Sequence, residues 1–398
     1  MNSAVNRLRT PVLFLVVFFA FEVFNRYYFK NLKDYMITYT IIANGKAVRH
    51  GKVSLDIAPQ TSKELQVNMA GLKPQKDTEY FVNFSVVTVQ PEGLIQEGHE
   101  IASEQFRLPI EPIKSDLKTS GPALSVSENG DELVAFSSKV NFVFNKKTGL
   151  VSSYKVGSTE YFSEGFGLQP NFWRGPTDND YGNGQPKREQ IWKQSSKNFN
   201  VSDATVKMDG KNAIMTINYL LPAGNLYIVD YTIYPSGAVH VAAHFTSTEM
   251  NEAETEVSEA TRTATFTPGR DAARKEASKL TVPRIGVRFR MPVTMNQVEY
   301  FGRGPEENYW DRKAGTLVGL YKSTAEDLYF PYVRPQENGH HTDTRWVSVS
   351  SNKGKGLKIV ADELIEFNAL RNSIEDFDDE EQTNLPRQWS NFTPEQIA

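Results

Sequence analysis

The chain has 398 residues, 39% of them hydrophobic and 23% charged, which is enough for two ordinary domains or one large β domain with a real core. A formal net charge of -4 argues against a nucleic-acid binder that relies on phosphate neutralisation, and the absence of cysteine excludes disulfides, a thiolate nucleophile and a cysteine-ligated zinc. The 26 glycines, 20 prolines and 12% aromatic residues predict an all-β protein with many turns.

The amino end carries one apolar run, Pro11 to Phe21, which follows Arg7 and Arg9. The run is similar to the positive and hydrophobic regions of a secretory signal, but it is too short for a membrane-spanning helix. Glu22 follows at once and no small-residue cleavage site intervenes, so we expect no cleaved signal. The alternative is a strand of a domain that was cut on its upstream side. The sequence does not distinguish a cytoplasmic from a periplasmic location.

Residues 21–109 show the pattern of a small immunoglobulin-like sandwich. The apolar stretch Tyr35 to Ile42 is followed by Asn44-Gly45, the signature of a type I′ hairpin turn. Further strands are indicated at Leu65–Met69, Tyr80–Val86 and Glu104–Leu108. Residues 110–121 lack this periodicity and are predicted to be a linker, which leaves residues 1–20 as a separate apolar segment.

Residues 122–398 continue the β pattern over a longer stretch. A hairpin is predicted around Asn145–Gly149, where glycine suits a left-handed turn position. Alternating runs follow at Met215–Tyr219, Tyr227–Ile233 and Val239–Phe245. No regular alternation of strands and helices appears, which argues against a parallel βαβ sheet. Two charged stretches interrupt the pattern: residues 249–277 are predicted to be an exposed insertion, and Glu375 to Glu381 a solvated loop or a loose cation site.

Two local carboxylate pairs are candidates for glycoside or ester hydrolysis, which needs two acids at a defined separation. Glu306 and Glu307 are adjacent and would point to opposite faces of an extended segment. Asp178 and Asp180 lie among turn-forming residues and lead into the mobile-looking run Gly182–Gly184. Neither pair is assigned a catalytic role, so we expect the chain alone not to hydrolyse a glycoside.

The histidines do not form an evident metal site. His340 and His341 are neighbours, so on a strand their side chains diverge. His240 and His244 lie on an alternating strand, where positions four apart are separated by about 13 Å. We therefore expect no metal and no cofactor in this chain.

Three segments combine aromatic residues with Asn, Asp, Glu and Arg, at residues 169–190, 300–312 and 329–339. Such mixtures serve sugar recognition, where rings stack on C–H faces and planar polar groups bind hydroxyls. They serve equally well as buried polar networks that fix long loops. The residue chemistry alone does not separate the two interpretations.

The motifs themselves resemble a known family. N-F-W-R-G-P-T-D-N-D at 171–180, F-G-R-G-P-E-E-N-Y-W-D-R at 301–312 and Y-V-R-P-Q-E-N-G at 332–339 resemble the signature blocks of the carboxy-terminal domain of large β-galactosidases of glycoside hydrolase family 2. P-R-I-G-V-R-F at 283–289 adds a fourth match. The resemblance covers most of residues 122–370, and residues 21–109 resemble the immunoglobulin-like domain that precedes this domain in the family.

The resemblance implies an all-β chain in which an immunoglobulin-like sandwich precedes a large antiparallel β-sandwich of the galactose mutarotase type, incomplete at its carboxy end. The family's catalytic glutamates belong to an upstream (β/α)₈ barrel, so this chain would support the active site and assembly of a β-galactosidase. Its partners would be the barrel-containing portion or a second copy, with a galactoside bound in the full enzyme. No nucleic acid and no stable membrane span are expected.

Site residues follow from the same resemblance. A loop bordering the active site would contain Asp178, Asn179, Asp180 and Gly182. Residues expected in a sugar-binding site or a structural polar network are Trp173, Arg174, Arg303, Glu306, Asn308, Asp311, Arg312, Glu337, Asn338 and His340. Asp311, Arg312, Glu337 and Asn338 are expected in the buried part of that network.

Two other functions stay open. A free-standing carbohydrate-binding or mutarotase-like module would need, for mutarotase chemistry, a histidine and a glutamate facing one cleft. The candidates are His340 or His341 with Glu306 or Glu337, and nothing in their spacing favours them. The third possibility is an interaction module that only builds subunit contacts.

Overall fold

The computed structural model describes residues 18–54, 56–115, 119–246 and 281–378. The chain divides into two compact units, Met1–Asp116 with Leu317–Leu320 and Leu117–Thr316 with Tyr321–Ala398. The predicted insertion at 249–277 lies outside the described residues, as does the part of the amino-terminal apolar run before Phe18.

The first unit is a sandwich of antiparallel strands. Its described strands are β1 (Phe18–Phe24), β2 (Tyr35–Ala43), β3 (Lys46–Val53), β4 (Ser62–Asn68), β5 (Tyr80–Thr88) and β6 (Glu100–Arg107), with a 3-10 turn at Leu32–Asp34. β1 pairs with β4, and the other four strands form a sheet in the order β3-β2-β5-β6. Both sheets contribute to one apolar core, in which Ile41, Val67 and Val82 are fully buried.

The turn at Asn44-Gly45 and the end of the apolar run are the two features of this unit that the sequence predicted locally. Asn44 and Gly45 both have positive φ, 46° and 77°, as a type I′ turn requires, so the predicted hairpin is confirmed. The described end of the apolar run belongs to β1, where Phe21 packs against the core. The expectation that no signal is cleaved stays a prediction.

The second unit contains four antiparallel sheets in its described residues. A five-stranded sheet in the order β11-β10-β9-β8-β7 consists of β7 (Ser125–Asn129), β8 (Glu132–Phe136), β9 (Val140–Asn145), β10 (Leu150–Val156) and β11 (Thr159–Glu160). A sheet in sequence order consists of β13 (Asn200–Asp209), β14 (Asn212–Leu220), β15 (Leu226–Ile233) and β16 (Val239–Thr246). Short strands β12 (Gln169–Asn171) and β17 (Gly286–Arg288) form a pair.

The last sheet positions most of the candidate site. Its order is β19-β18-β20-β21, and its strands are β18 (Gln297–Gly304), β19 (Leu317–Thr324, of which residues 321–324 belong to this unit), β20 (His341–Ser350) and β21 (Gly356–Phe367). Four short helices accompany the described strands of this unit: α1 (Asp178–Asn183), α2 (Gln185–Arg188), α3 (Gln190–Ser195) and α4 (Ile374–Phe377). A 3-10 turn at Pro222–Gly224 connects β14 and β15.

Period-two patterning explains the main core of the second unit. Every second residue of β14 and β15 is buried, in the pairs Ala213–Ile233, Met215–Tyr231, Ile217–Val229 and Tyr219–Tyr227. These side chains pack against Phe142 and Phe144 of β9, so the two larger sheets form the layers of a sandwich. At the hairpin between β9 and β10, Gly149 has φ 69°, and a Cβ there would lie 2.7 Å from the Phe199 ring. The prediction of an all-β sandwich fold is confirmed. None of the helices in the described ranges is long and apolar enough to cross a bilayer.

Candidate functional site

Segments that are far apart in sequence converge on the Glu337 carboxylate, which lies at the end of the third signature block. Glu337 is 3% exposed. Its carboxylate accepts hydrogen bonds from Arg284 Nη2 at 2.5 Å, the Gly175 backbone N–H at 3.0 Å and Asn368 Nδ2 at 3.1 Å. Gly175 lies in the N-F-W-R-G-P block and Arg284 in P-R-I-G-V-R-F. Three of the quoted motifs therefore meet at one buried carboxylate.

The charge of Glu337 is compensated by its surroundings. Burial raises the pKa of this carboxyl, but Arg284, His340 and Arg174 lower it by more, so the net pKa lies below its ordinary value. A buried carboxylate held by a guanidinium and two N–H donors has a fixed position and is not free to exchange protons. We therefore interpret Glu337 as a structural residue that holds the surrounding segments together.

His340 lies beside this anchor and is 4% exposed. Its Nε2 is 2.8 Å from Glu366 Oε2, and its Nδ1 is 3.0 Å from Asn368 Oδ1. The Tyr309 ring stacks on the imidazole with centroids 5.2 Å apart. We call Gly175, Arg284, Glu337, His340, Glu366 and Asn368 the Glu337 network.

The histidine–glutamate pair differs from the pairs that the sequence suggested. Glu306 is exposed, and Glu337 Oε1 lies 3.8 Å from His340 Nδ1, beyond hydrogen-bond distance. Glu366, the actual partner, lies on β21 and was not a candidate, because sequence spacing does not reveal which residue the adjacent strand presents. Arg284 and Asn368 lie outside the strands, and they were missed because sequence spacing does not reveal which loop residues pack against Glu337, although Arg284 lies in a quoted motif.

The F-G-R-G-P-E-E-N-Y-W-D-R block forms a second set of polar contacts next to the network. Asn308 is fully buried, donates to the Arg303 and Glu306 carbonyls at 3.1 Å, and accepts from the Thr342 backbone N–H at 3.0 Å. Arg303 binds Asp343 at 2.5 Å. These contacts fix the turn that follows β18.

The remaining charged residues of the same block differ in exposure, and the Glu307 side chain is only 8% exposed. Glu307 accepts from Arg312 at 2.8 Å, from the Gly339 N–H at 2.8 Å and from the Tyr332 hydroxyl. The Arg312 side chain is 58% exposed and Asp311 is exposed, so the expectation that these two are buried is wrong. They lie on a tight turn whose backbone is already satisfied, which leaves no need to bury their side chains.

Asn338 behaves as expected for a buried structural residue. It is 2% exposed, accepts from the Phe330 backbone N–H at 2.8 Å and donates to the Phe330 carbonyl at 2.5 Å. A side-chain amide that pairs with both backbone groups of one residue closes the loop between Phe330 and Asn338.

The D-N-D segment is a helix, which corrects the expectation that it lies in a loop. The Thr177 side chain caps α1 by accepting a hydrogen bond from the Asp180 backbone N–H. The Asp180 carboxylate in turn accepts from the Thr177 backbone N–H at 2.9 Å, and the two bonds form a capping box. Gly184 ends the helix with φ 75°. The sequence did not reveal this helix, because capping residues and turn residues are the same types and six residues are too few for apolar periodicity.

Two arginines from outside α1, Arg174 and Arg334, contact side chains of this helix. We call the set of contacting residues the α1 clamp: Arg174, Asp178, Asp180, Tyr181 and Arg334. Arg174 binds the buried Asp180 at 2.8 Å. Arg334 lies 3.7 Å from Asp178 and 4.8 Å from the Tyr181 ring centroid. Asn179 and Gly182 are exposed. The clamp therefore presents an exposed segment from a fixed base.

Trp173 is buried and is not available for stacking on a sugar. Its Nε1–H donates to Asp378 Oδ2 at 2.8 Å, and Lys193 binds the same carboxylate at 2.6 Å. Glu375 accepts from Arg288 at 2.9 Å within the short α4. The predicted solvated loop or cation site is wrong for the buried Asp378, which Trp173 and Lys193 bind. Glu375 is exposed, as a solvated residue would be, but it lies in a helix and pairs with Arg288. Residues 379–381 lie outside the described ranges.

His340 and His341 diverge as predicted. His341 faces away from His340, between the rings of Tyr300 and Phe367, with centroids 4.6 and 5.1 Å away. His240 lies on β16 with His244 and contacts Asp362 at 3.1 Å. Within the described ranges, no group of three or more His, Asp or Glu residues is placed to hold a metal ion. The expectation that the chain carries no metal or cofactor stays a prediction.

His341 makes the second unit sensitive to acid. Burial lowers its pKa from 6.5 to about 4, only partly offset by the bond from Nδ1 to the Arg303 carbonyl at 3.1 Å. Above pH 6.5 the His341 ring is neutral in both the folded and the unfolded chain, so it does not change the free energy of unfolding. Between pH 6.5 and 4 only the unfolded chain takes up the proton, so we expect the free energy of unfolding to fall by up to about 3 kcal/mol as pH drops.

The measurement is urea unfolding between pH 7 and pH 4.5, followed by tryptophan fluorescence, since all 5 tryptophans lie beyond residue 170. His341→Asn keeps a donor for the Arg303 carbonyl and removes the titrating ring, so its stability should depend less steeply on pH. His244→Asn, at an exposed position, is the matched control and should keep the parent slope. Equal slopes in His341→Asn and the parent would refute the assignment.

Comparison with known proteins places this arrangement in a family. The family described as beta galactosidase small chain matches residues 136–393, and the one described as beta-galactosidase, domain 4, matches residues 21–109. A protein named beta-galactosidase from Priestia megaterium is 31% identical over 88% of this chain and 31% of its own length. Proteins of the same name from Vibrio cholerae and Kluyveromyces lactis are 26% and 27% identical, over 87% and 74% of this chain and 32% and 27% of their own lengths. The chain thus spans about a third of the length of these curated relatives.

Proposed function

The chain belongs to the beta-galactosidase small-chain family, and from that premise we propose that it is the carboxy-terminal part of a β-galactosidase which supports the active site and assembly of the enzyme. The main support for this proposal is coverage. The chain matches two β-galactosidase domain families one after the other, and it spans only about a third of each named relative. The acid/base and nucleophile carboxylates would come from the barrel-containing portion, and the substrate would be a terminal β-galactosyl group.

The contacts of the local carboxylates support a non-catalytic role for this part. A glycosidase needs two carboxyl groups that both face a substrate and can exchange protons. Asp180 is bound by Arg174 and the helix cap, and Glu307 by Arg312, Tyr332 and a backbone N–H. Asp178 and Glu306, the other members of the two pairs, are exposed.

The α1 clamp supports a contribution to the substrate site. Its arginines fix the base of α1, whereas Gly182 and the next two residues are exposed. A short exposed segment on a fixed base can order a substrate without much loss of conformational entropy. We assign the border of the active site to Asp178, Asn179, Asp180 and Gly182.

Complementation tests this function. The purified chain alone should not release nitrophenol from a nitrophenyl β-galactoside, whereas mixing it with a separately produced barrel-containing portion should yield hydrolysis. Arg174→Ala together with Arg334→Ala, which releases α1, should lower kcat/KM of the mixture about tenfold or more, because positioning is lost. Glu306→Ala, at an exposed position, is the matched control.

Hydrolysis by the chain alone, in protein free of host enzyme and lost in Asp178→Ala or Asp180→Ala, would contradict the proposal. So would a mixture that associates in size-exclusion chromatography but stays inactive. A second copy of the chain as the partner would appear in the same chromatography as a dimer without the barrel portion.

A mutarotase-like module is the second candidate, favoured by the 2.8 Å contact between His340 and Glu366. This pair could transfer a proton during ring opening of an aldose. Against it, His340 is 4% exposed and lies beneath Tyr309. Faster loss of optical rotation from α-D-galactose with the chain alone, abolished in His340→Gln, would favour this second function over the first.

A further inference from the structure

Trp310 is an exposed aromatic residue that belongs neither to the apolar core nor to the Glu337 network. It lies at the tip of a turn that Tyr309 and Arg312 close through reciprocal backbone hydrogen bonds of 2.9 and 3.2 Å. The side chain is 71% exposed. Its neighbour Tyr309, in contrast, packs on His340. The turn therefore projects an indole ring into solvent directly beside the Glu337 network.

The indole is held in place although it is exposed. Lys313 Nζ lies 4.1 Å from the centroid of the ring, a cation–π distance. Asp343 binds the same ammonium group at 3.2 Å, so the lysine is itself anchored. Glu366 lies close by, because Tyr309, the residue before Trp310, stacks on His340, and His340 Nε2 is 2.8 Å from the Glu366 carboxylate. Lys313 therefore holds a ring that is 71% exposed, so most of the indole stays accessible to a ligand.

Glu366 supplies a charged acceptor close to this ring. Burial raises the pKa of its carboxyl, but the bond from His340 and the charge of Arg284 bring the pKa below its usual value, so it is ionised at neutral pH. Its side chain is 32% exposed, so solvent still reaches it. The carboxylate is thus held by His340 and is still accessible to a ligand.

We propose that Trp310 and Glu366 form a binding site for one neutral pyranose ring of a galactoside. The C–H face of the sugar stacks on the exposed indole, and two neighbouring hydroxyls donate to the Glu366 carboxylate. A neutral sugar is favoured over an anionic one because the acceptor carries a negative charge. One indole flanked by charged groups offers too little apolar area for a protein partner.

The site goes beyond support of hydrolysis and can be tested without any barrel portion. Saturation-transfer NMR on the full chain with methyl β-D-galactoside should show transfer to the sugar C–H protons, with a dissociation constant in the millimolar range. Trp310→Ala should weaken binding about tenfold, and Trp310→Phe should restore part of it because a smaller ring still stacks. Glu366→Gln should weaken binding several-fold.

The chain offers a matched control. Trp346 also has a lysine over its ring, with Lys358 Nζ 3.8 Å from the centroid, but it lies on β20 and not beside Glu366. Trp346→Ala should leave sugar binding unchanged. Galactitol, which has the hydroxyls without the ring, should bind more weakly than the galactoside.

Three results would overturn the proposal: no saturation transfer to the galactoside, equal binding by the parent and Trp310→Ala, or equal binding of galactitol. Unfolding curves of Trp310→Ala that match those of the parent exclude misfolding as the cause of lost binding. A failed complementation with intact sugar binding would contradict the proposed function alone, so the two proposals can fail separately.

Discussion

Glu337→Ala should destabilise the second unit by about 3–5 kcal/mol, the usual cost of removing one partner of a buried ion pair. The substitution leaves Arg284, the Gly175 N–H and Asn368 Nδ2 without their acceptor. The loss should appear as an earlier midpoint in urea unfolding followed by tryptophan fluorescence, which reports only on this unit. Glu337→Gln, which keeps the shape and one acceptor oxygen, should cost less.

Two further variants identify the cause of this loss. Adding Arg284→Met to Glu337→Ala removes the unpaired guanidinium and should recover part of the stability. Glu306→Ala removes an exposed glutamate of the neighbouring block and should change stability by no more than about 0.5 kcal/mol. A Glu337→Ala protein within about 1 kcal/mol of the parent would show that the network is not an anchor.

Trp173→Ala should destabilise the same unit by about 3–5 kcal/mol, as expected for truncation of a buried tryptophan. The side chain is 3% exposed and packs in the main core. Its removal leaves a cavity and takes one donor away from Asp378. Trp173→Phe should cost less, because the ring volume is largely kept and Lys193 still binds Asp378.

Trp310→Ala is the matched comparison for this prediction. Both residues are tryptophans in signature blocks, but Trp310 is 71% exposed, so its truncation should cost about 1 kcal/mol or less. Similar midpoints for Trp173→Ala and Trp310→Ala would contradict the buried position of Trp173. A large loss of stability in Trp173→Ala would also explain any loss of sugar binding in that variant without a direct contact.

The fold class and most of the strands could be predicted from the amino-acid pattern alone. In β14 and β15 the alternation of large apolar residues identified the strands and the buried face, because a strand beside one apolar core must alternate. The turn at Asn44-Gly45 was predictable because few residue pairs tolerate two positive φ angles. The divergence of His340 and His341 followed from strand geometry alone.

The motifs also marked the residues that form the candidate site, but not their partners. Glu337 and His340 lie in quoted blocks, whereas Glu366 and Asn368 lie on or just after β21, in a region with no motif. A histidine finds its acceptor through strand pairing and loop packing, which bring together residues 26 positions apart. Such contacts between distant residues cannot be predicted from the local pattern of apolar and polar residues.

Whether one of two similar residues is buried or exposed depends on the packing of the folded chain. Trp173 and Trp310, or Asp311 and Asp378, have the same chemistry in the sequence, yet one of each pair is buried and the other is exposed. The helix α1 likewise depends on Arg174 and Arg334, which lie on either side of it in the sequence and pair with its aspartates. Burial and charge pairing depend on what packs against a residue, and that is a property of the folded chain rather than of its neighbours in sequence.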